Sequence, residues 1–240
     1  MQTETKQRRY PPHTFMDVME DNLQKALELL ENVEIPEEAR DLIRKTHVIA
    51  RDVYPYSEKY STQPSPILKG IWERTMGEDW KGLHAEGKIS YIPSPIMMTD
   101  STEGKRFSRF VSYTITSLGG LLQMLVKVTG AKNCLEVGMF TGFSTLSMAE
   151  ALPEDGRVVS LELEPFFEEY NRRNAFDKSP HGHKIHVRIG NARDILEELA
   201  EEKMQFDLAF LDADKKSYQK YFEVILPIRD GVALVCRRDQ

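Results

Sequence analysis

The sequence predicts an α/β fold built on a mostly parallel sheet, and three observations predict it. The first is an alternation of short apolar runs with helical patterns. Asn133–Val137 (NCLEV), Val158–Leu163 (VVSLEL), Ile185–Ile189 (IHVRI) and Phe206–Leu211 (FDLAFL) have strand length, and helical segments lie between them at Ser144–Leu152, Phe166–Phe176 and Ala192–Lys203. Such a rhythm folds as parallel strands joined by crossovers, with helices on both faces. The second is a glycine turn directly after the first strand, at the carboxyl end where sheets of this kind bind ligands. The third is composition: 240 residues, 40% hydrophobic and 29% charged, with mean hydropathy −0.46, describe a chain able to bury a full core and too apolar for wholesale disorder.

The elements follow in order. Apolar residues at Phe15, Val18, Met19, Leu23, Ala26, Leu27 and Leu30 have helical spacing. A second helix is expected after Pro36, a favoured first helical position, running through Ala39, Leu42, Ile43, His47 and Ala50 and ending before Tyr54-Pro55. Between Ser57 and Pro95 prolines and glycines are frequent, so short helices and loops are expected. The alternating strands and helices come after residue 130. We read residues 1–240 as a single domain, with 1–130 a helical appendage and cofactor lid and 131–240 the sheet-based core.

Charge and cysteines exclude several function classes. With 32 Lys and Arg against 38 Asp and Glu, the net charge of −6 argues against general nucleic-acid binding. No run of about 18 apolar residues is present, so no helix spans a membrane. The stretch Met1–His13 lacks the apolar centre of a secretory signal, and a cytoplasmic location is expected. Cys134 and Cys236 sit in apolar runs and are read as reduced packing residues.

The chemistry concentrates at strand ends. The first strand runs into Glu136-Val137-Gly138-Met139-Phe140-Thr141-Gly142-Phe143-Ser144, where glycines let backbone approach a ligand and Thr141 or Ser144 can cap the helix. Its Gly-x-x-x-Gly spacing is not the Gly-x-Gly-x-x-Gly that a dinucleotide pyrophosphate wants, which disfavours a nicotinamide-dependent reductase. Glu162 ends the second strand about 20 residues past that turn, where a carboxylate can accept from both ribose hydroxyls. Gly190-Asn191-Ala192 after the third strand leaves room for an adenine ring. The fourth strand ends in Asp212-Ala213-Asp214-Lys215-Lys216-Ser217-Tyr218, and carboxylates there are costly unless paired, solvated or bound to a cation. Asp212 is a hard ligand suited to Mg²⁺, and a lysine with a depressed pKa would serve as base.

These residues together resemble the caffeoyl-coenzyme A and catechol type of cation-dependent O-methyltransferase. The resemblance is carried by Pro95-Ile96-Met97-Met98-Thr99-Asp100-Ser101-Thr102-Glu103-Gly104, by LEVGMFTGFSTL and ALPEDGRVVSLE, and by FDLAFLDADKKSYQKYFEVILP. It implies a Rossmann-like class I methyltransferase sheet, mostly parallel with a terminal antiparallel strand, preceded by N-terminal helices. It implies that Thr99, Glu136, Gly138, Ser144, Glu162, Ala192 and Asp214 contact S-adenosylmethionine. It further implies that Asp212 binds the metal and faces the acceptor, that Lys215 is the catalytic lysine, and that the working form is a homodimer. The implied reaction moves the sulfonium methyl to a phenolic or catechol oxygen of a small molecule, with a divalent cation assisting. A free phenol has a pKa near 10, so metal chelation and a lysine would both promote its ionisation.

Two departures from that pattern matter. Lys105 to Gly119 stand between Gly104 and a helix beginning near Leu121, either as an extension of that helix or as a loop. Then, near Pro227, the chain passes directly from a VILP-like edge into Leu226-Pro227-Ile228-Arg229-Asp230-Gly231-Val232-Ala233-Leu234-Val235-Cys236-Arg237-Arg238, which resembles the family's final strand. The family's Asp-Asn metal ligands and one wall of its acceptor site belong to the stretch missing between. A lone Asp212 is a weak Mg²⁺ site, so metal binding is expected to be weakened or lost. This leaves an alternative function: a catalytically impaired methyltransferase-like binder or dimer partner.

Overall fold

A computed structural model of the protein describes residues 15–60, 62–93, 118–214, 217–225 and 232–235. Chain contacts divide it into two compact units, one holding the first two helices and the other everything from residue 62 to 93 and from 118 onward. Among the described residues no helix is long and apolar enough to cross a membrane.

The first unit is a helical hairpin of α1 (Phe15–Leu29) and α2 (Glu37–Tyr60). The Arg40 guanidinium holds its turn by donating to the Leu30 and Val33 carbonyls, 2.8 Å each, which satisfies oxygens that a helix C-terminus leaves open. Glu37 and Glu38 lie in the first turn of α2, where the helix dipole favours acids. The second helix does not end before Tyr54-Pro55 as its sequence suggests. It continues through Pro55 to Tyr60. A proline inside a helix removes one hydrogen bond and kinks the axis, and continuous pairing on both sides can carry the helix across that defect.

In the second unit, α3 (Pro66–Gly77) starts with Pro66 at its first position and Ser65 as cap, whose Oγ accepts from Leu68 N–H at 3.2 Å. Leu68, Ile71 and Thr75 form its buried face. The short α4 (Trp80–Ala85) is capped by Asp79 and anchored by the Trp80 indole, which donates to the Thr75 carbonyl at 3.0 Å. A helix over residues 118–129, α5, buries Leu122 and Val126, one turn apart. Leu118 and Gly119 belong to it, so the end of the Lys105–Gly119 stretch extends the helix. A Cβ on Gly119 would lie 2.8 Å from the Phe143 ring, so glycine lets α5 close on its neighbour.

The sheet contains β1 (Asn133–Val137), β2 (Arg157–Glu162), β3 (Ile185–Ile189), β4 (Leu208–Leu211) and β5 (Val232–Val235), in spatial order β3-β2-β1-β4-β5. Between them come α6 (Phe143–Ala151), α7 (Phe166–Asn174), α8 (Ala192–Glu201) and α9 (Tyr218–Ile225). Alternate strand residues serve two cores. Leu135, Val137, Val159, Leu161, Ala209 and Leu211 pack with Ile195, Leu196 and Leu199 of α8 and with Tyr221 and Ile225 of α9. Cys134, Val158, Ile185, Leu208 and Phe210 pack on the other side with α3, α5 and α6. Burial pushes the Cys134 thiol up to about 12, in keeping with a reduced packing residue; Cys236 lies outside the described residues.

The terminal strand departs from expectation. It lies beside β4, and every pairing in the sheet is parallel, from Leu208↔Val232 to Leu211↔Val235 at this edge. Among the described residues α9 is the one element between β4 and β5, and a helical crossover of this kind returns the chain to the sheet in its original direction. An antiparallel last strand needs a hairpin partner, and none precedes it among the described residues.

Candidate functional site

The carboxyl ends of β1, β2, β3 and β4 surround a cleft of about 660 Å³. Gly138 forms its floor with φ +101°, and a Cβ there would sit 2.6 Å from the Asp212 carbonyl oxygen. The ends of β1 and β4 therefore approach closer than any side chain permits. Asp212 N–H donates to Val137 O at 3.0 Å and completes that closure.

The turn that follows holds a non-glycine residue, Phe140, at φ +47°. This left-handed conformation costs about 1–2 kcal/mol and persists where the surroundings over-determine it. Three contacts do so. The Phe140 amide donates to Glu162 Oε2 at 2.8 Å, its carbonyl accepts from Asn171 Nδ2 at 2.7 Å, and its ring lies 5.5 Å from Trp80 and 5.0 Å from Phe167. Gly142, at φ +78°, faces the Phe176 ring so closely that a Cβ would lie 2.5 Å from it. Gly142 thus becomes the N-cap of α6, and the side-chain cap expected from Thr141 or Ser144 is not made.

Glu162 is almost fully buried at the end of β2. Its Oε2 takes the Phe140 amide and its Oε1 takes the Glu164 amide at 2.9 Å. Two backbone donors fix the plane of the carboxylate while each oxygen keeps acceptor capacity toward the cleft. Its carbonyl receives Gly190 N–H at 2.9 Å, so one residue ties together three strand ends. Beyond Gly190, Asn191 caps α8 through Oδ1 to Arg193 N–H at 2.9 Å, and Ala192 opens the helix on the cleft.

Glu136 is wholly buried behind the turn, where its Oε2 accepts from the Thr145 and Ser160 hydroxyls and its Oε1 has no hydrogen-bond partner among the described residues. Burial pushes this carboxyl up to about 7, with the hydroxyls of Ser144, Ser160 and Thr145 pulling downward and the Asp212 charge adding to the rise. At the end of β4, Asp212 is half-buried and Asp214 exposed, the latter accepting from Ser217 Oγ at 2.5 Å.

The structure therefore gathers Gly138, Glu162, Ala192, Asp212 and Asp214 around one cleft. It places Glu136 and Ser144 outside the lining, one beneath the turn and the other in the first turn of α6. Thr99 and Lys215 lie outside the described residues. Sequence reasoning missed Tyr91, Phe140 and Lys220, all of which line the cleft. Phe140 falls inside a motif already singled out, and its unusual backbone carries no compositional signal. Tyr91 comes from the proline- and glycine-punctuated stretch, where no periodicity points to it.

The cleft lies within the range of roughly 300–1,000 Å³ usual for cofactor pockets, and its oriented carboxylate beside a glycine floor fits a nucleoside. A divalent cation fits less well. Among the described residues no group of three or more His, Cys, Asp or Glu side chains is placed to hold a metal, and Asp212 and Asp214 alone fall short of the oxygen set that Mg²⁺ demands.

The model of a family described as O-methyltransferase matches residues 111–237, just over half of the chain. Caffeoyl-CoA O-methyltransferase 2 of Zea mays is 40% identical over 119 residues, covering 46% of this chain and 42% of that protein. A catechol O-methyltransferase of Niastella koreensis is 40% identical over 119 residues, covering 49% and 53%. The chain thus spans about half the length of the curated relatives it matches. Among solved structures, the O-methyltransferase TomG from Streptomyces achromogenes in complex with SAM aligns with a TM-score of 0.55 at 26% identity, over 78% of this chain and 70% of that one.

Proposed function

The chain belongs to the O-methyltransferase family, and from that premise we propose that it binds S-adenosylmethionine in the cleft at the strand ends and methylates a phenolic or catechol hydroxyl of a small molecule. The observation that carries this reading is Glu162, whose carboxylate is aimed by two backbone amides and borders the cleft beside Gly138. The SAM-bound TomG relative supports the choice of methyl donor, and the caffeoyl-CoA and catechol enzymes support the acceptor class.

S-adenosylmethionine, when bound, supplies an electrophilic methyl on a sulfonium. The chain's own residues would do the rest. Glu162 accepts from the ribose hydroxyls, Gly138 leaves room for the nucleoside against the backbone, and Ala192 borders the base. Asp212 and Asp214 present negative charge on the side from which a cationic donor is held. Transfer needs the acceptor oxygen ionised and in line with the breaking S–C bond, so a base must take the phenolic proton. By position that base is Lys215, three residues after Asp212. No step is assigned to a divalent cation, because the described residues do not assemble a site for one.

A second reading, cofactor binding without turnover, rests on the fourth-strand end, where among the described residues one helix stands between β4 and β5 and no carboxylate cluster is placed to hold a metal. Calorimetry with S-adenosylhomocysteine together with radiolabelled methyl transfer to catechol or a caffeoyl thioester separates the two. Binding with turnover is expected. Binding without turnover would favour the second reading, and no binding would sink both.

A further inference from the structure

Several residues that line the cleft have no role in the proposed function, and Tyr91 is the one whose surroundings say most. Tyr91 lines it together with Glu162 and is held there by a stiff local scaffold. On either side of it, Ile89 and Pro93 are buried. The preceding amide, of Ser90, donates to Glu164 Oε2 at 2.8 Å, and the amide of Glu164 in turn donates to Glu162 Oε1 at 2.9 Å. Two hydrogen bonds thus couple the backbone beside Tyr91 to the carboxylate that borders the cleft, so both residues are placed on the same cleft by one connected segment.

The chemistry of the pair is complementary. Glu162 offers only acceptors, while burial and the charges of Glu162 and Glu164 push the Tyr91 phenol up to about 12, so its hydroxyl stays a donor at any physiological pH. No hydrogen-bond partner for that hydroxyl is present among the described residues. A ribose hydroxyl that donates to a carboxylate still has lone pairs to accept with, and a neutral donor alongside completes its set.

We propose that Tyr91 is a cofactor-binding residue of this chain, its hydroxyl donating to a ribose oxygen of the nucleoside whose hydroxyls Glu162 receives. This rests on the methyl-donor reading of the cleft. It makes Tyr91 and Glu162 a donor–acceptor clamp on one vicinal diol, and it favours ribonucleosides over deoxy analogues beyond what the carboxylate alone achieves.

The test compares the unaltered protein with Tyr91→Phe by calorimetry, using S-adenosylhomocysteine and its 2′-deoxy and 3′-deoxy analogues. One neutral hydrogen bond corresponds to about a three- to tenfold loss of affinity for S-adenosylhomocysteine in Tyr91→Phe. That loss is expected to vanish for the one deoxy analogue lacking the contacted hydroxyl. A purely structural role for the ring would not produce this pattern. Equal affinity of the two proteins for S-adenosylhomocysteine, or a loss kept in full against both deoxy analogues, would overturn the assignment to Tyr91 alone. Failure of the unaltered protein to bind S-adenosylhomocysteine would overturn the methyl-donor reading and this inference with it.

Discussion

The two sides of the cleft are built differently. At the ends of β1 and β2, the turn amide, the turn carbonyl and both oxygens of Glu162 are bonded within the protein, and an aromatic set packs behind them. At the end of β4, Asp212 is half-buried, Asp214 is exposed, and α9 begins only at Tyr218. Preorganisation costs conformational freedom during folding and saves it during binding, so the first side has the character of a cofactor site. Under the proposed function, the more exposed second side is the one a methyl acceptor would approach.

The largest effect is expected at Gly138, where the ends of β1 and β4 come closest. Gly138→Ala places a Cβ against the Asp212 carbonyl at a backbone angle that L residues rarely adopt. It is expected to destabilise the protein by about 3 kcal/mol or more and to abolish measurable S-adenosylhomocysteine binding. Denaturant unfolding and calorimetry check both, and a fully stable, binding-competent variant would mean that the two strand ends can part freely.

Glu136 sharpens the contrast through pH. Its carboxyl titrates near 7 in the folded protein and in the ordinary carboxyl range when unfolded. Below pH ~4 both states hold the proton and this group leaves stability unaffected. As pH rises toward 7 the unfolded state releases the proton first, so stability falls by up to about 3 kcal/mol and then levels off. Glu136→Gln should flatten that fall, as measured by unfolding free energies from pH 5 to 8, and an unchanged slope would place the proton elsewhere.

Glu162→Gln keeps the shape but replaces a doubly accepting carboxylate with an amide that has one acceptor. Affinity for S-adenosylhomocysteine should drop about 10- to 100-fold, since hydrogen bonds to a charged group contribute roughly 1.5–3 kcal/mol. The smallest structural effect belongs to the open side. Asp214→Asn should shift stability by less than about 0.5 kcal/mol, as surface substitutions do, while still lowering turnover. A large loss of stability there would erase the distinction between the two sides.

How much of this was legible beforehand follows the same division. β1 and β3 begin and end where their sequences predict, because each is an apolar run closed by a glycine or followed by one within a residue or two. The residues Gly138, Glu162, Ala192, Asp212 and Asp214 meet at one cleft because strand ends in a parallel sheet converge by topology. Pro55 misled because a local breaker was weighed without the pairing on either side of it. The direction of β5 depends on how many passes the chain makes, a property of connection rather than of composition. Tyr91 stands at the cleft beside Ser90, whose amide donates to Glu164, a residue distant in sequence, and no local pattern announces such a contact.

The aromatic set behind the turn has an optical consequence. The protein has two tryptophans, and one of them, Trp80, is buried 5.5 Å from the Phe140 ring and 6.1 Å from both Phe167 and Tyr170. The amide of that same Phe140 rests on Glu162. A molecule engaging the carboxylate therefore perturbs the surroundings of a shielded indole, and occupancy of the cleft becomes readable as a change in intrinsic fluorescence, without any label.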